Sequence, residues 1–113
     1  MIFHDKKTDV FHNRFEGKGE IVMEHVIDEA LYGGKIPVYA RVCLKPGCSL
    51  GWHIHKGNSE TYFILSGTAV YSDNGNSVTL KAGDTAFCPD GEGHAIANEG
   101  TEDLIFMALI VNS

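Results

Sequence analysis

The sequence predicts an all-β domain, and three observations carry that reading. Thirteen glycines are present, and most fall between short apolar stretches, at Gly33-Gly34, Gly47, Gly51, Gly67, Gly75, Gly83, Gly91, Gly93 and Gly100. Such punctuation suits many short strands. "IPVYARVCL" sets Val38, Ala40, Val42 and Leu44 against Tyr39, Arg41 and Cys43, a period of two that fits a half-buried strand. "SDNGNS" carries Asn-Gly, the signal of a two-residue hairpin turn.

Along the chain, residues 1–18 read as an N-terminal extension with no apolar run of signal-peptide length. Residues 21–31, "IVMEHVIDEAL", are ambiguous, because Ile21, Val22, Met23, Val26, Ile27, Ala30 and Leu31 also satisfy amphipathic helical spacing. After the strand in "IPVYARVCL", "GWHIHK" reads as a second strand and "KGNS" as a reversal. "ETYFILSGTAVYS" is aromatic and β-branched, and "SVTLKAGDTAFC" resumes extended structure after the Asn-Gly turn. The continuous apolar run "LIFMALIV", 104–111, predicts a strand covered on both faces, and it is far too short to span a bilayer. No repeat or change of composition marks a second domain, so residues 1–113 are read as one.

Composition narrows the function. Apolar residues make up 43% and charged residues 21%, as in an ordinary globular protein. The formal charge of -6 repels polyanions, which argues against nucleic acid and anionic membrane as partners. Cys43, Cys48 and Cys88 cannot all pair within one chain. Reduced thiols without a leader imply a cytoplasmic protein.

In a strand through "GWHIHK", His53 and His55 project from one face about 7 Å apart along the backbone, close enough to lean onto a single ion. Glu60, returning after the bend on a neighbouring strand, can add a hard oxygen. His94, framed by Gly91 and Gly93 in "PDGEGHAIAN", is the candidate fourth donor. His4, His12 and His25 lack such company and read as surface or hydrogen-bonded residues.

Offsets extend this pattern. Gly47, five residues, His53, one, His55, four, Glu60, six and Gly67 form one run; Gly83, five residues, Pro89, one, Gly91, two, His94, three and Asn98 form another. These runs, 47–67 and 83–98, resemble the two signature motifs of the cupin superfamily at ten fixed positions, with fifteen residues between them. The resemblance implies a cupin-type double-stranded β-helix, or jelly-roll barrel. It also implies a metal site of His53, His55, Glu60 and His94 for one divalent transition ion, Mn, Fe, Ni, Cu or Zn. Additional strands before the first motif are usual in cupins, so "EIVMEHVI" is read as a strand, followed by a short turn at "DEALYGG".

Around the ion, Tyr62 and Ile64 are expected to line the interior, with Arg41 and Cys88 as further pocket residues and Tyr39 or Glu92 near the mouth. Tyr62 is the one candidate for a base. If His53, His55, Glu60, Tyr62 and Ile64 face inward, then Trp52, Ile54, Phe63 and Leu65 face outward. Cover for them predicts a homodimer. The expected function is that of a mononuclear metal-binding cupin acting on a small polar or anionic ligand, with oxygenase-type chemistry favoured. The alternatives are isomerase, epimerase or lyase chemistry, or ligand binding without catalysis.

Overall fold

In the computed structural model, which describes residues 1–113, the period-two segments become ten strands. These are β1 (Thr8–His12), β2 (Glu20–His25), β3 (Val38–Leu44), β4 (Ser49–Ile54), β5 (Asn58–Ser66), β6 (Thr68–Asp73), β7 (Asn76–Lys81), β8 (Thr85–Cys88), β9 (Gly93–Ala97) and β10 (Leu104–Asn112). They pair antiparallel in two sheets, ordered β1-β2-β3-β10-β5-β8 and β4-β9-β6-β7.

The strand alternation places the core between the sheets. On β3, Ala40, Val42 and Leu44 are buried while Arg41 is exposed. Leu104, Phe106 and Ala108 of β10 repeat the pattern and meet Leu50, Ala69, Leu80 and Ile96 of the other sheet in one apolar cluster. The Asn-Gly signal is realised in the β6–β7 hairpin, where Asn74 (φ 49°) and Gly75 (φ 101°) occupy the two turn positions between the paired Asp73 and Asn76. Both φ values are positive, as the favoured two-residue hairpin turn requires. Gly67 turns β5 into β6 at φ 85°, and a Cβ there would stand 2.5 Å from the Asp103 carbonyl oxygen.

Four expectations are refined. "EIVMEHVI" is a strand but ends at His25, and the following segment holds a short 3-10 turn, Glu29–Tyr32, capped by Asp28 accepting from the Ala30 amide. β10 lies in mid-sheet between β3 and β5, yet only one face is buried; Ile105, Met107 and Leu109 on the other face are half-buried. Glu60 does not return beside β4: β5 belongs to the opposite sheet, so the carboxylate arrives from across the barrel. The N-terminal extension is itself structured, with β1 pairing β2 and a turn at Arg14–Glu16 packed on β4. No helix is long and apolar enough to cross a membrane.

Candidate metal centre

Register brings the four donors together. β4 pairs with β9 so that His53 stands opposite His94, while an irregularity between Leu50 and His53 re-aims the end of β4. His55 lies one residue beyond β4, held by its amide bonding the Glu92 carbonyl at 3.0 Å. Glu60 descends from β5 on the facing sheet. The ligating atoms of His53, His55, Glu60 and His94 all lie within 4.8 Å of one another. Glu60 Oε1 is 3.1 Å from His55 Nε2, 3.0 Å from His94 Nε2 and 3.7 Å from His53 Nε2, and the His55 and His94 Nε2 atoms are 3.1 Å apart.

The chemistry of this set fits a divalent ion. His55 Nδ1 donates to Asn58 Oδ1 at 2.7 Å, and His53 Nδ1 donates to the Gly51 carbonyl at 2.8 Å. In the neutral rings both protons are thereby fixed on Nδ1, so each Nε2 presents a lone pair inward. His94 Nδ1 lies 2.8 Å from Tyr71 Oη and matches the pattern when it donates. An ionised carboxylate is also acceptor-only, so four lone-pair atoms meet where only a cation or added protons can reconcile them. The Glu60, His55 and His94 atoms, 3.0–3.1 Å apart, are close enough to share one ion at the usual donor distance of about 2.0–2.2 Å.

Without an ion, protons on the Nε2 atoms that face Glu60 reconcile the cluster instead. Burial alone pushes the Glu60 carboxyl up, but the hydrogen bonds to His53, His55 and His94 outweigh it and hold the group well below the usual carboxylate range. The Glu60 hydrogen bond raises the His55 ring above its ordinary value against the opposing effect of burial. For His94, burial prevails and lowers it.

A cavity of about 100 Å³ opens beside the cluster, walled mostly by Ile21, Met23, Val42, Phe106 and Ala108. Tyr62 lines it, buried and stacked on the His94 ring at 4.8 Å between centroids; its hydroxyl has no hydrogen-bond partner. Burial, with the Glu60 carboxylate beside it, pushes the Tyr62 phenol well above its ordinary value, so it is a proton donor at neutral pH and not the base sought in the sequence. Ile64 is fully buried in the apolar core and does not reach the cavity.

Two other expected pocket residues also lie elsewhere. Arg41 points outward because Ala40 and Val42 take the core side of β3. Cys88 is buried opposite Glu60 in the β5–β8 pairing but does not line the cavity; burial raises its thiol to about 11. Tyr39 and Glu92 are likewise absent from the lining.

The sequence reading missed Asn58, Tyr71, Arg14 and Phe15. Phe15 stacks on His53 at 4.4 Å between centroids, and Arg14 sits on the cavity wall.

The model of the cupin domain family matches residues 40–111. The chain is a cupin. This cupin is 45% identical over 95 residues to an oxalate-binding protein of Thermotoga maritima, covering 84% of this chain and 78% of that one. It is 32% identical over 75 residues to the oxalate decarboxylase of Bacillus subtilis, covering 62% of this chain but 20% of the longer relative. Its fold superposes with a TM-score of 0.94, at 39% identity and over the full length of both chains, on the crystal structure of a predicted oxalate decarboxylase from Thermotoga maritima. The cupin double-stranded β-helix expected from the two motifs is therefore the fold of this chain.

Proposed function

We propose that this cupin binds a small carboxylate of the oxalate class at a divalent ion held by His53, His55, Glu60 and His94. The observation that carries the reading is a four-atom acceptor cluster, two of whose rings are turned by outer hydrogen bonds, set beside a cavity of only about 100 Å³. Likeness to an oxalate-binding protein gives the ligand class. When bound, the ion supplies a Lewis acid with positions left for ligand oxygens, and Mn, Fe, Ni, Cu and Zn all accept such a donor set.

The chain's own groups supply orientation more readily than turnover. Tyr62 can donate its spare hydroxyl hydrogen to a ligand oxygen. Glu60 is the only carboxylate lining the cavity, and it belongs to the donor cluster, so no separate carboxylate base faces the ligand. This favours binding over decarboxylation, and it gives no support to oxygenase-type or isomerase chemistry. Calorimetric titration of oxalate into metal-loaded and metal-stripped protein tests the reading, alongside an assay for formate. Saturable 1:1 binding that requires the metal, without formate, is expected. No binding to the loaded protein would sink the proposal, and formate production would replace it with a decarboxylase.

The same reading includes a homodimer. Phe63, Leu65 and Phe87 are 42%, 42% and 55% exposed on the outer side of β5 and β8, next to the half-buried Met107 of β10. That is more contiguous apolar surface than isolated surface residues make, and a second copy of the chain is the proposed cover. Three free thiols suit a reducing compartment such as the cytoplasm.

A further inference from the structure

We infer that Arg14 is a second anion-recognition group of the cavity, so that the site selects a short dianion over a monoanion. The inference rests on the preceding reading of the metal-dependent carboxylate site and adds to it a specificity residue contributed from outside both cupin motifs.

Charge balance gives the reason. Three neutral imidazoles, one carboxylate and a divalent ion sum to +1, which a monoanion neutralises. A second negative charge on the same ligand would face Ile21, Met23 and Phe106 on the cavity wall, at a desolvation cost unless a cation meets it. Arg14 is the only Lys or Arg lining the cavity. A space of about 100 Å³ holds roughly three waters, so only a very small ligand fits. Across so short a span, one end can sit at the ion while the other meets Arg14 on the cavity lining.

Arg14 is also free to serve. Its guanidinium carbon lies 4.0 Å from the Phe11 ring centroid and 4.9 Å from that of Phe15, and no carboxylate pairs with it. The planar fork is thus held by aromatic contacts while its donors remain uncommitted. The turn that presents it is built against the site. Asn13, Phe15 and Glu16 all adopt positive φ, at 52°, 52° and 62°, a costly run for residues other than glycine. It is pinned by the Asn13 amide to the Gly19 carbonyl, by the Ser49 amide to the Lys18 carbonyl, and by Phe15 stacking on His53. Gly17 and Gly51 allow the approach: a Cβ on Gly51 would fall 1.8 Å from the Phe15 carbonyl oxygen, and one on Gly17 2.3 Å from that of Ser49. Strain concentrated beside a binding cavity, at a turn that presents an unpaired cation, is what a recognition element requires.

The test is calorimetric titration of oxalate and of acetate into wild type, Arg14→Gln and Arg14→Lys, each loaded with one equivalent of Mn²⁺, with Zn²⁺ in parallel. Arg14→Gln is expected to weaken oxalate roughly ten- to hundredfold. It should change acetate less than about threefold and leave metal affinity unaltered, because a charge-assisted hydrogen bond is lost only for the second carboxylate. Arg14→Lys should recover part of the loss. Unchanged oxalate affinity in Arg14→Gln, or equal losses for oxalate and acetate, would overturn the inference and leave the metal-dependent carboxylate site standing. Wild-type protein that binds metal but not oxalate would end both. Arg14 is exposed, so neither variant threatens the fold.

Discussion

At the scale of single residues, the proposed centre depends on protons that point away from it. Asn58 and Gly51 take the Nδ1 hydrogens of His55 and His53, and Tyr71 stands where it can do the same for His94. Tyr71→Phe removes that acceptor and leaves a buried ring N–H unmatched. Metal affinity should fall roughly ten- to hundredfold, read by chelator competition, with the circular dichroism spectrum unchanged; equal affinity would mean that Tyr71 does not set the ring. Tyr62→Phe should leave stability intact or improve it. The orphaned hydroxyl contributes no hydrogen bond to the metal-free fold, so its removal should leave the melting temperature equal or higher. Oxalate binding to the loaded protein should nevertheless weaken several-fold, and a lower melting temperature would show that the hydroxyl is bonded after all. The four candidate donors that the structure gathers are those that fixed offsets in two motifs name. Asn58 and Tyr71 were not, since which side chain meets an imidazole from behind depends on turn geometry and on the β6–β9 register, neither of which has a sequence spacing of its own.

At the scale of elements, period-two alternation predicted strand faces well wherever one side is core. It placed Ala40, Val42 and Leu44 inside, and Trp52, Ile54, Phe63 and Leu65 outside, as the structure has them. It could not say which sheet a strand joins, which is why Glu60 was assigned a neighbouring strand and comes instead from the facing sheet. The turn at 13–16 was invisible for a related reason. Positive φ at Asn13, Phe15 and Glu16 follows from tertiary contact with β4 and not from local propensity, which disfavours it for phenylalanine above all. Gly51→Ala probes that contact. The backbone of Gly51 is not in the positive-φ region, so the whole effect is steric, through the Phe15 carbonyl and the Gly17 amide at 1.8 and 2.9 Å from the added carbon. The turn must lift from β4, at a cost of about 1–3 kcal/mol. Oxalate affinity should drop with it, since Arg14 belongs to the turn that moves. Thermal melting and titration of the same variant check both, and a melting temperature equal to wild type would mean that the turn does not press on β4 in solution.

At the scale of the whole molecule, three titrations oppose one another, and the sign of each matters. Glu60 is depressed, so it stabilises the metal-free fold above its unfolded value near 4.5, and that contribution is lost as pH falls below it. His94 is also depressed; its contribution is present above about 6.5 and lost as pH falls through the lowered value. His55 is raised, so its contribution is complete below about 6.5 and disappears as pH rises through the raised value. Metal reverses the His55 preference, because a coordinating imidazole must be neutral. Between pH 6.5 and 4.5 Glu60 stays anionic, so loss of metal in that window belongs to the imidazoles alone. Occupancy measured by elemental analysis after gel filtration should be stoichiometric at about pH 7.5 and mostly lost below about pH 6. Over the same range the stabilisation conferred by metal, about 4 kcal/mol at a thousandfold excess over the dissociation constant, should shrink towards zero. The apolar core does not include the four donors, so the stripped protein should stay folded at pH 7 with a lower melting temperature. Full occupancy at pH 4.5 would contradict ligation by neutral histidines, and global unfolding on stripping at pH 7 would make the ion a structural support of the barrel.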